Sequence, residues 1–296
     1  MKSILILRGG ALGDFLVTLP ALGLLRACWP EARIELVGNR SAAGLGVEDG
    51  ILDVVHSQHE ARWAGLYAPG PLPGALGAWL SGFDCVVSWW PDPERELASH
   101  FPVREGQRFV EGAAKPGVAP AARHYCGTLG VLGLATTAFA ARLQFPRARH
   151  GRAGDRHRVV IHPGSSSLQR NWPPDRWLEI CRRVRREGLE TEVVCGEAES
   201  SVIDLFRSEA RVHAGLPLAE LACLLASAGA YAGHDTGVTH LAAACGCPVL
   251  ALFGSTDPGM WAPPGASVIR RVEGVAAIPV DEVSTAMLGL LRRPAE

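Results

Sequence analysis

The stretch SILILRGGALGDFLVTLPALGLLRACWPEARIELV, residues 3–37, decides the fold. Residues 3–7 form a short β-rich apolar run, and glycines at 9, 10 and 13 break the chain just beyond it. Residues 14–27 carry apolar side chains at helical spacing, with Pro20 placed to kink the helix, and residues 33–37 read as a second strand. Strand, glycine turn, helix, strand is one βαβ unit. With the further apolar runs downstream, it reads as part of a parallel sheet with crossover helices.

The glycine turn also poses a chemical question, because it lets backbone approach a ligand yet closes on an acid, Asp14. A dinucleotide fingerprint aligned on Gly10 and Gly13 leaves Arg8 where its first glycine belongs, and no GK[ST] occurs after the turn, so neither that motif nor a P-loop is present. Two readings of Asp14 stay open. It caps the helix by accepting orphan N–H groups, or it is a general base beside glycines that admit a substrate hydroxyl.

Outward from this unit, apolar runs at 53–56 and 83–89 read as buried strands and 123–134 as a helix. Residues 146–158, PRARHGRAGDRHR, are basic and without apolar period and read as a solvated linker. The alternation then restarts. Strands are expected at 159–162, 191–195, 230–233 and 249–253, and helices at 174–186, 217–228 and 236–245. The predicted organisation is α/β throughout: a first domain over 1–146, a linker over 147–157 and a second domain over 158–296. The last amphipathic helix, 280–293, is free to close on either. Ligands of open α/β sheets sit beyond the carboxyl ends of the strands, so two such halves suggest a cleft between them.

Composition narrows the function classes. A net charge of −1 over 296 residues offers nucleic acid no general attraction, and a hydrophobic share of 48 % excludes a disordered chain. Eight cysteines in mostly apolar segments, without a CxxC pair, read as buried reduced thiols. The start lacks a signal-peptide pattern and no run of 18 apolar residues occurs, so the expectation is a cytoplasmic protein, with peripheral membrane contact left open.

Two further stretches carry chemistry. IHPGSSSLQRNWPPDRW, residues 161–177, leaves a strand through a Gly/Ser loop and enters a helix at Pro-Pro-Asp. Ser165, Ser166 and Ser167 could face an anion there, and Arg170 could grip phosphate oxygens. AGHDTGVTHLAAACGCPVLALFGSTDP, residues 232–258, runs a short strand into Asp235, Thr236 and Gly237 at a helix start suited to a diphosphate. His240 lies one turn further on and reads as structural or catalytic. His234, Asp235 and His240 lack metal-ligand spacing.

With these three stretches in order, the chain resembles glycosyltransferase family 9, the heptosyltransferases of the lipopolysaccharide inner core. ILRGGALGDFLVTLPAL is similar to the family's amino-terminal motif, HPGSSSLQRNWP to its phosphate loop, and DTGVTHLAAACGCPVLALFG to its carboxy-terminal signature. The resemblance implies a GT-B fold, two Rossmann-like domains facing an interdomain cleft. It also implies an inverting, metal-independent transferase that takes an ADP-heptose as co-substrate, with no other cofactor. The acceptor would be a lipid-linked or oligosaccharide glycan met at the cytoplasmic face of the inner membrane. Carried over by position, the family's base falls on Asp14, its phosphate-contacting basic residue on Arg170 where lysine is common, and its diphosphate loop on Asp235, Thr236 and Gly237, with His240 alongside. The ribose-contacting acid falls on Glu197 or Glu199. Residues 65–123, where acceptor contacts belong, match no motif. Other readings are a family-9-like transferase for another nucleotide sugar and glycan, or a catalytically silent nucleotide-sugar-binding protein.

Overall fold

The structure is a computed structural model that describes residues 1–146, 155–165, 171–196, 199 and 202–292. The chain divides into two compact units, Met1–Phe139 and Ala140–Glu296. Residues 140–146 thus join the second unit rather than the first. Leu143 shows why: its N–H donates to the Ala244 carbonyl at 2.9 Å, and its side chain is buried.

In the first unit five parallel strands lie in the order β3-β2-β1-β4-β5. They are β1 (Ser3–Arg8), β2 (Arg33–Gly38), β3 (Val54–Ser57), β4 (Cys85–Ser88) and β5 (Arg108–Glu111). The inner strands are buried along most of their length and are mainly apolar, with Glu35 of β2 the buried exception. The α-helices of seven residues or more are α1 (Leu12–Cys28), α2 (Arg40–Glu48), α3 (Gly74–Leu80) and α4 (Ala121–Thr128). α1 continues through Pro20, buries Phe15, Leu16, Leu19, Leu22 and Leu25, and packs against α2 and α4. The helix expected at 123–134 is two elements: α4 stops at Thr128, and a 3-10 turn, Leu129–Leu132, ends at Gly133, whose φ of 78° suits a residue without Cβ.

The second unit holds six parallel strands in the order β11-β10-β9-β6-β7-β8. They are β6 (Asp155–His162), β7 (Glu190–Cys195), β8 (Arg211–Ala214), β9 (Ala228–His234), β10 (Val249–Phe253) and β11 (Ser267–Arg270). Its longer helices are α5 (Pro174–Arg186), α6 (Leu218–Ala226), α7 (Gly237–Ala244) and α8 (Val280–Arg292). α5 has Pro174 at its first turn, buries Trp177, Ile180, Cys181 and Val184 at helical spacing, and ends on Arg183, Arg185 and Arg186, cations favourable to the carbonyl end. α8 packs on α5, β9 and β10 through Val283, Met287 and Leu290, within its own unit. β6 begins at Asp155, inside the stretch that reads as linker, and β9 begins at Ala228, the last residue of the helix expected at 217–228.

Each sheet carries a buried glutamate on its second strand in chain order, bonded to a histidine on its third. Glu35 of β2 meets His56 Nε2 of β3 at 2.6 Å, and Glu192 of β7 meets His213 Nε2 of β8 at 2.8 Å. An arginine joins each pair, Arg33 at 2.8 Å from Glu35 and Arg158 at 3.6 Å from Glu192. Cys28 is exposed and the other seven cysteines are buried. Among the described residues no helix is long and apolar enough to cross a membrane.

Candidate active site

Parallel strands put their carboxyl ends at one edge of a sheet, and the switch point of each sheet gathers the loops that leave that edge. In the first unit the switch lies between β1 and β4. The loop after β1 is Gly9-Gly10-Ala11, and α1 starts immediately. Gly10 has φ of 107°, and a Cβ there would fall 2.5 Å from Asp14 Oδ2, so glycine is required by conformation and by the approach of the carboxylate. Asp14 folds back. Its Oδ2 accepts from the Ala11 N–H at 2.9 Å, which satisfies one orphan donor of the helix start. Its Oδ1 accepts from Arg8 Nη2 at 3.2 Å. Gly13 lies in the first turn of α1, half-buried.

Arg8 is a site residue that the sequence pattern does not single out. It ends β1 buried, at 6 % exposure, with its guanidinium 4.7 Å from the centre of the Tyr125 ring. The same group donates to the Asp14 carbonyl, to the Tyr125 hydroxyl at 3.0 Å and to the Ala114 carbonyl at 3.3 Å. Its one sequence signal is a cation closing an apolar strand, at the position a dinucleotide motif gives to glycine. Asp14 itself is 41 % exposed, and each carboxylate oxygen keeps a lone pair beyond the bond it makes, so it can still accept a proton. The capping geometry is therefore present, and it aims the carboxylate without consuming it.

In the second unit the switch lies between β6 and β9. The loop after β6 is closed at its base by a ring. The Trp172 N–H donates to His234 Nε2 at 2.7 Å, so that nitrogen carries no proton, and Nδ1–H donates to the Gly164 carbonyl at 3.1 Å. Both ring nitrogens of His234 are thus engaged within the fold, and the residue bridges the two arms of the loop. Ser165 Oγ adds a bond to Asn171 Oδ1 at 2.7 Å, and Trp172 Nε1 donates to the Ile278 carbonyl at 3.0 Å. Ser166, Ser167 and Arg170, within this loop, and Glu197 lie outside the described residues.

Asp235 comes directly after β9, and Thr236 stands at the amino end of α7 with extended backbone. The Thr236 side chain makes no capping bond to its own helix and lies 3.4 Å from Thr239 Oγ1. Thr239 is held by the Tyr231 hydroxyl at 3.1 Å and donates to the His234 carbonyl. Gly237 opens the helix, and His240, half-buried, sits in its first turn. The N–H groups at the start of α7 thus receive no capping bond from the Thr236 side chain.

Glu199 is 5 % exposed. It accepts from the Gly196 N–H at 2.7 Å, lies 3.8 Å from His162 Nε2, and fills the space over Gly164, where a Cβ would fall 1.9 Å from Oε1. Burial raises its carboxyl pKa, but the neighbouring His162 ring and the Gly196 amide outweigh that and hold it below the ordinary value of 4.5. A carboxyl with a lowered folded pKa stabilises the native state above its unfolded value and loses that contribution as pH falls. Glu199→Gln is expected to lower Tm most at neutral pH, with the gap to the parent closing as pH falls below 4.5. Melts taken across that range check it, and a gap independent of pH would remove the ionised form from the account.

The profile of Glycosyltransferase family 9 (heptosyltransferase) matches residues 131–276, which include the second-unit loop and the Thr236 helix start. Lipopolysaccharide heptosyltransferase 1 of Pseudomonas aeruginosa is 34 % identical over 116 residues, 38 % of this chain and 32 % of that protein. Lipopolysaccharide heptosyltransferase 3 of Escherichia coli is 29 % identical over 122 residues, 38 % of this chain and 36 % of that protein. The chain thus spans about a third of the length of these curated relatives. Among solved structures, a glycosyltransferase of family 9 from Veillonella parvula superposes with a TM-score of 0.76 at 19 % identity, covering 98 % of this chain and 97 % of that one. E. coli ADP-heptose lipopolysaccharide heptosyltransferase II superposes with a TM-score of 0.75 at 18 % identity, covering 98 % of both. The fold is GT-B, built of two Rossmann-like domains, and residues 131–276 match glycosyltransferase family 9.

Proposed function

We propose that this protein is an inverting, metal-independent glycosyltransferase that moves a heptose from an ADP-sugar to a hydroxyl of a lipopolysaccharide-core acceptor. The observation that carries the reading is Asp14, an exposed carboxylate fixed by Arg8 and the Ala11 amide at the carboxyl edge of the first sheet. In this reading the acceptor oxygen attacks the anomeric carbon as the carbon–oxygen bond to the diphosphate breaks. Asp14 takes the hydroxyl proton, and ADP leaves. The Thr236–Gly237 helix start, Ser165, Ser166 and Arg170 stabilise the charge growing on the departing diphosphate, with Asp235 and His240 beside them. Of the two ribose candidates, Glu199 is buried and bonded to Gly196, which favours Glu197. The ADP-sugar is a co-substrate, and no other cofactor enters the scheme. The lipid-linked acceptor places the work at the cytoplasmic face of the inner membrane.

The test is a thermal-shift panel with ADP, UDP and GDP, then transfer from ADP-heptose to heptose-free lipopolysaccharide core in EDTA. A ligand at about 100 times its dissociation constant stabilises the native state by about 2.7 kcal/mol. Selective stabilisation by ADP and transfer that survives the chelator are expected. Preference for UDP or GDP would change the sugar, and nucleotide binding without transfer would favour a silent binding protein.

A further inference from the structure

The first unit carries a group of side chains that the catalytic reading leaves unused. Gln58 comes directly after β3; its Oε1 accepts from the Gly10 N–H at 3.1 Å, and its Nε2 lies 3.4 Å from His59 Nε2 on the exposed side, where a ligand hydroxyl would compete for it. Trp90 lies just beyond β4 and comes to the same backbone: a Cβ on Gly9 would fall 3.5 Å from Trp90 Nε1 and 3.2 Å from Gln58 Oε1. One residue along, a Cβ on Gly10 would strike the Asp14 carboxylate. The Gly9-Gly10 backbone is therefore touched by an indole, an amide and the candidate base.

Tyr67 lies on Trp90. The rings are 16° from parallel with centres 6.3 Å apart, and the Tyr67 hydroxyl donates to the Pro91 carbonyl at 2.9 Å, which pins the ring. Burial and the neighbouring Asp92 push that hydroxyl up to about 12, so it remains a donor at neutral pH. Tyr67 is 40 % exposed, whereas Trp90 beneath it is 9 % exposed. An exposed aromatic ring held in a fixed plane, over an indole that reaches the same glycine backbone as an amide and a carboxylate, suits a sugar: an apolar face of C–H groups edged by hydroxyls.

We propose that Tyr67, stacked on Trp90, is the platform for a sugar ring of the acceptor saccharide, with the Gln58 amide binding a hydroxyl at its edge. This rests on Asp14 being the base that receives the acceptor proton. It places a specificity determinant in residues 65–123, where the sequence offers no motif. Stacking sets how tightly the acceptor is held, and the carboxylate sets how fast it reacts.

The experiment compares the parent with Tyr67→Ala and Tyr67→Phe, using heptose-free inner-core oligosaccharide as the probe. Calorimetry gives its Kd, steady-state assays give acceptor KM and kcat, and ADP-induced stabilisation reports the donor side and the integrity of the fold. Tyr67→Ala is expected to raise both Kd and acceptor KM by about tenfold, the equivalent of one stacked ring, while kcat and the ADP response hold. Tyr67→Phe, which keeps the ring but loses the bond to Pro91, is expected to fall between the parent and Tyr67→Ala in both Kd and acceptor KM. An unchanged saccharide Kd in Tyr67→Ala, or no saccharide binding by the parent, overturns the platform. Binding that Tyr67→Ala abolishes in a protein that transfers nothing would keep the platform and reject the transferase reading.

Discussion

Asp14→Asn is expected to lower turnover by about 10²- to 10⁴-fold, the range that general-base assistance supplies, with ADP affinity unchanged. The substitution separates the two jobs of the side chain. Asparagine retains an oxygen that can accept from the Ala11 N–H, now bonded at 2.9 Å, but it cannot take a proton from a sugar hydroxyl. Asp14→Ala removes both functions and adds a stability loss of about 1 kcal/mol, typical of a lost capping bond. Steady-state kinetics with melting curves on both variants check the argument. Loss of turnover in proportion to loss of stability and of ADP binding would make Asp14 a cap and nothing more.

His234→Phe is the second large effect. Phenylalanine keeps the ring that meets Trp177 edge-on at 5.5 Å, but it leaves the Trp172 N–H and the Gly164 carbonyl without their partner. Each buried group left unsatisfied costs about 1–3 kcal/mol. The expected result is a fall in Tm of several degrees together with weaker ADP binding, because the loop that closes on His234 also carries Ser165. His234→Gln, which can both donate and accept, is expected to recover part of each. Equal stability of the Phe variant and the parent would show that the loop is held elsewhere.

Strong local patterns are legible in the sequence. The α5 span, 174–186, matches its expected bounds residue for residue because its proline start, apolar period and arginine end all agree. β10, five apolar residues between turn signals, is equally clear. The edge strands β5, β8 and β11 have four residues each with polar side chains among them, too short to display alternation. α2 contains two glycines, and the signal that points to it is Asn39, whose side chain accepts from the Ala42 N–H at 3.1 Å. Asp14 is legible because its partners are local, three and six residues away. The partners of His234 lie 62 and 70 residues off, and Arg8 reaches Ala114 and Tyr125, 106 and 117 residues along the chain. Bonds of that span leave no trace in spacing, so the residues that hold a site rigid are harder to read than those that act in it.

The glutamate–histidine pairs are bonds between strands and bear on alignment. In both sheets the histidine comes from the outermost strand, β3 or β8, and the two partners are 21 residues apart in each case. Moving an outermost strand by one position would turn its histidine to the opposite face. The glutamate oxygen would then be left in the interior without that partner, and a buried acceptor left unsatisfied costs about 1–3 kcal/mol. A strand of four residues has few apolar contacts with which to specify its own alignment. The glutamate–histidine bond does this for both, so each half of the molecule penalises misaligned pairing at its own border, independently and with the same two residue types.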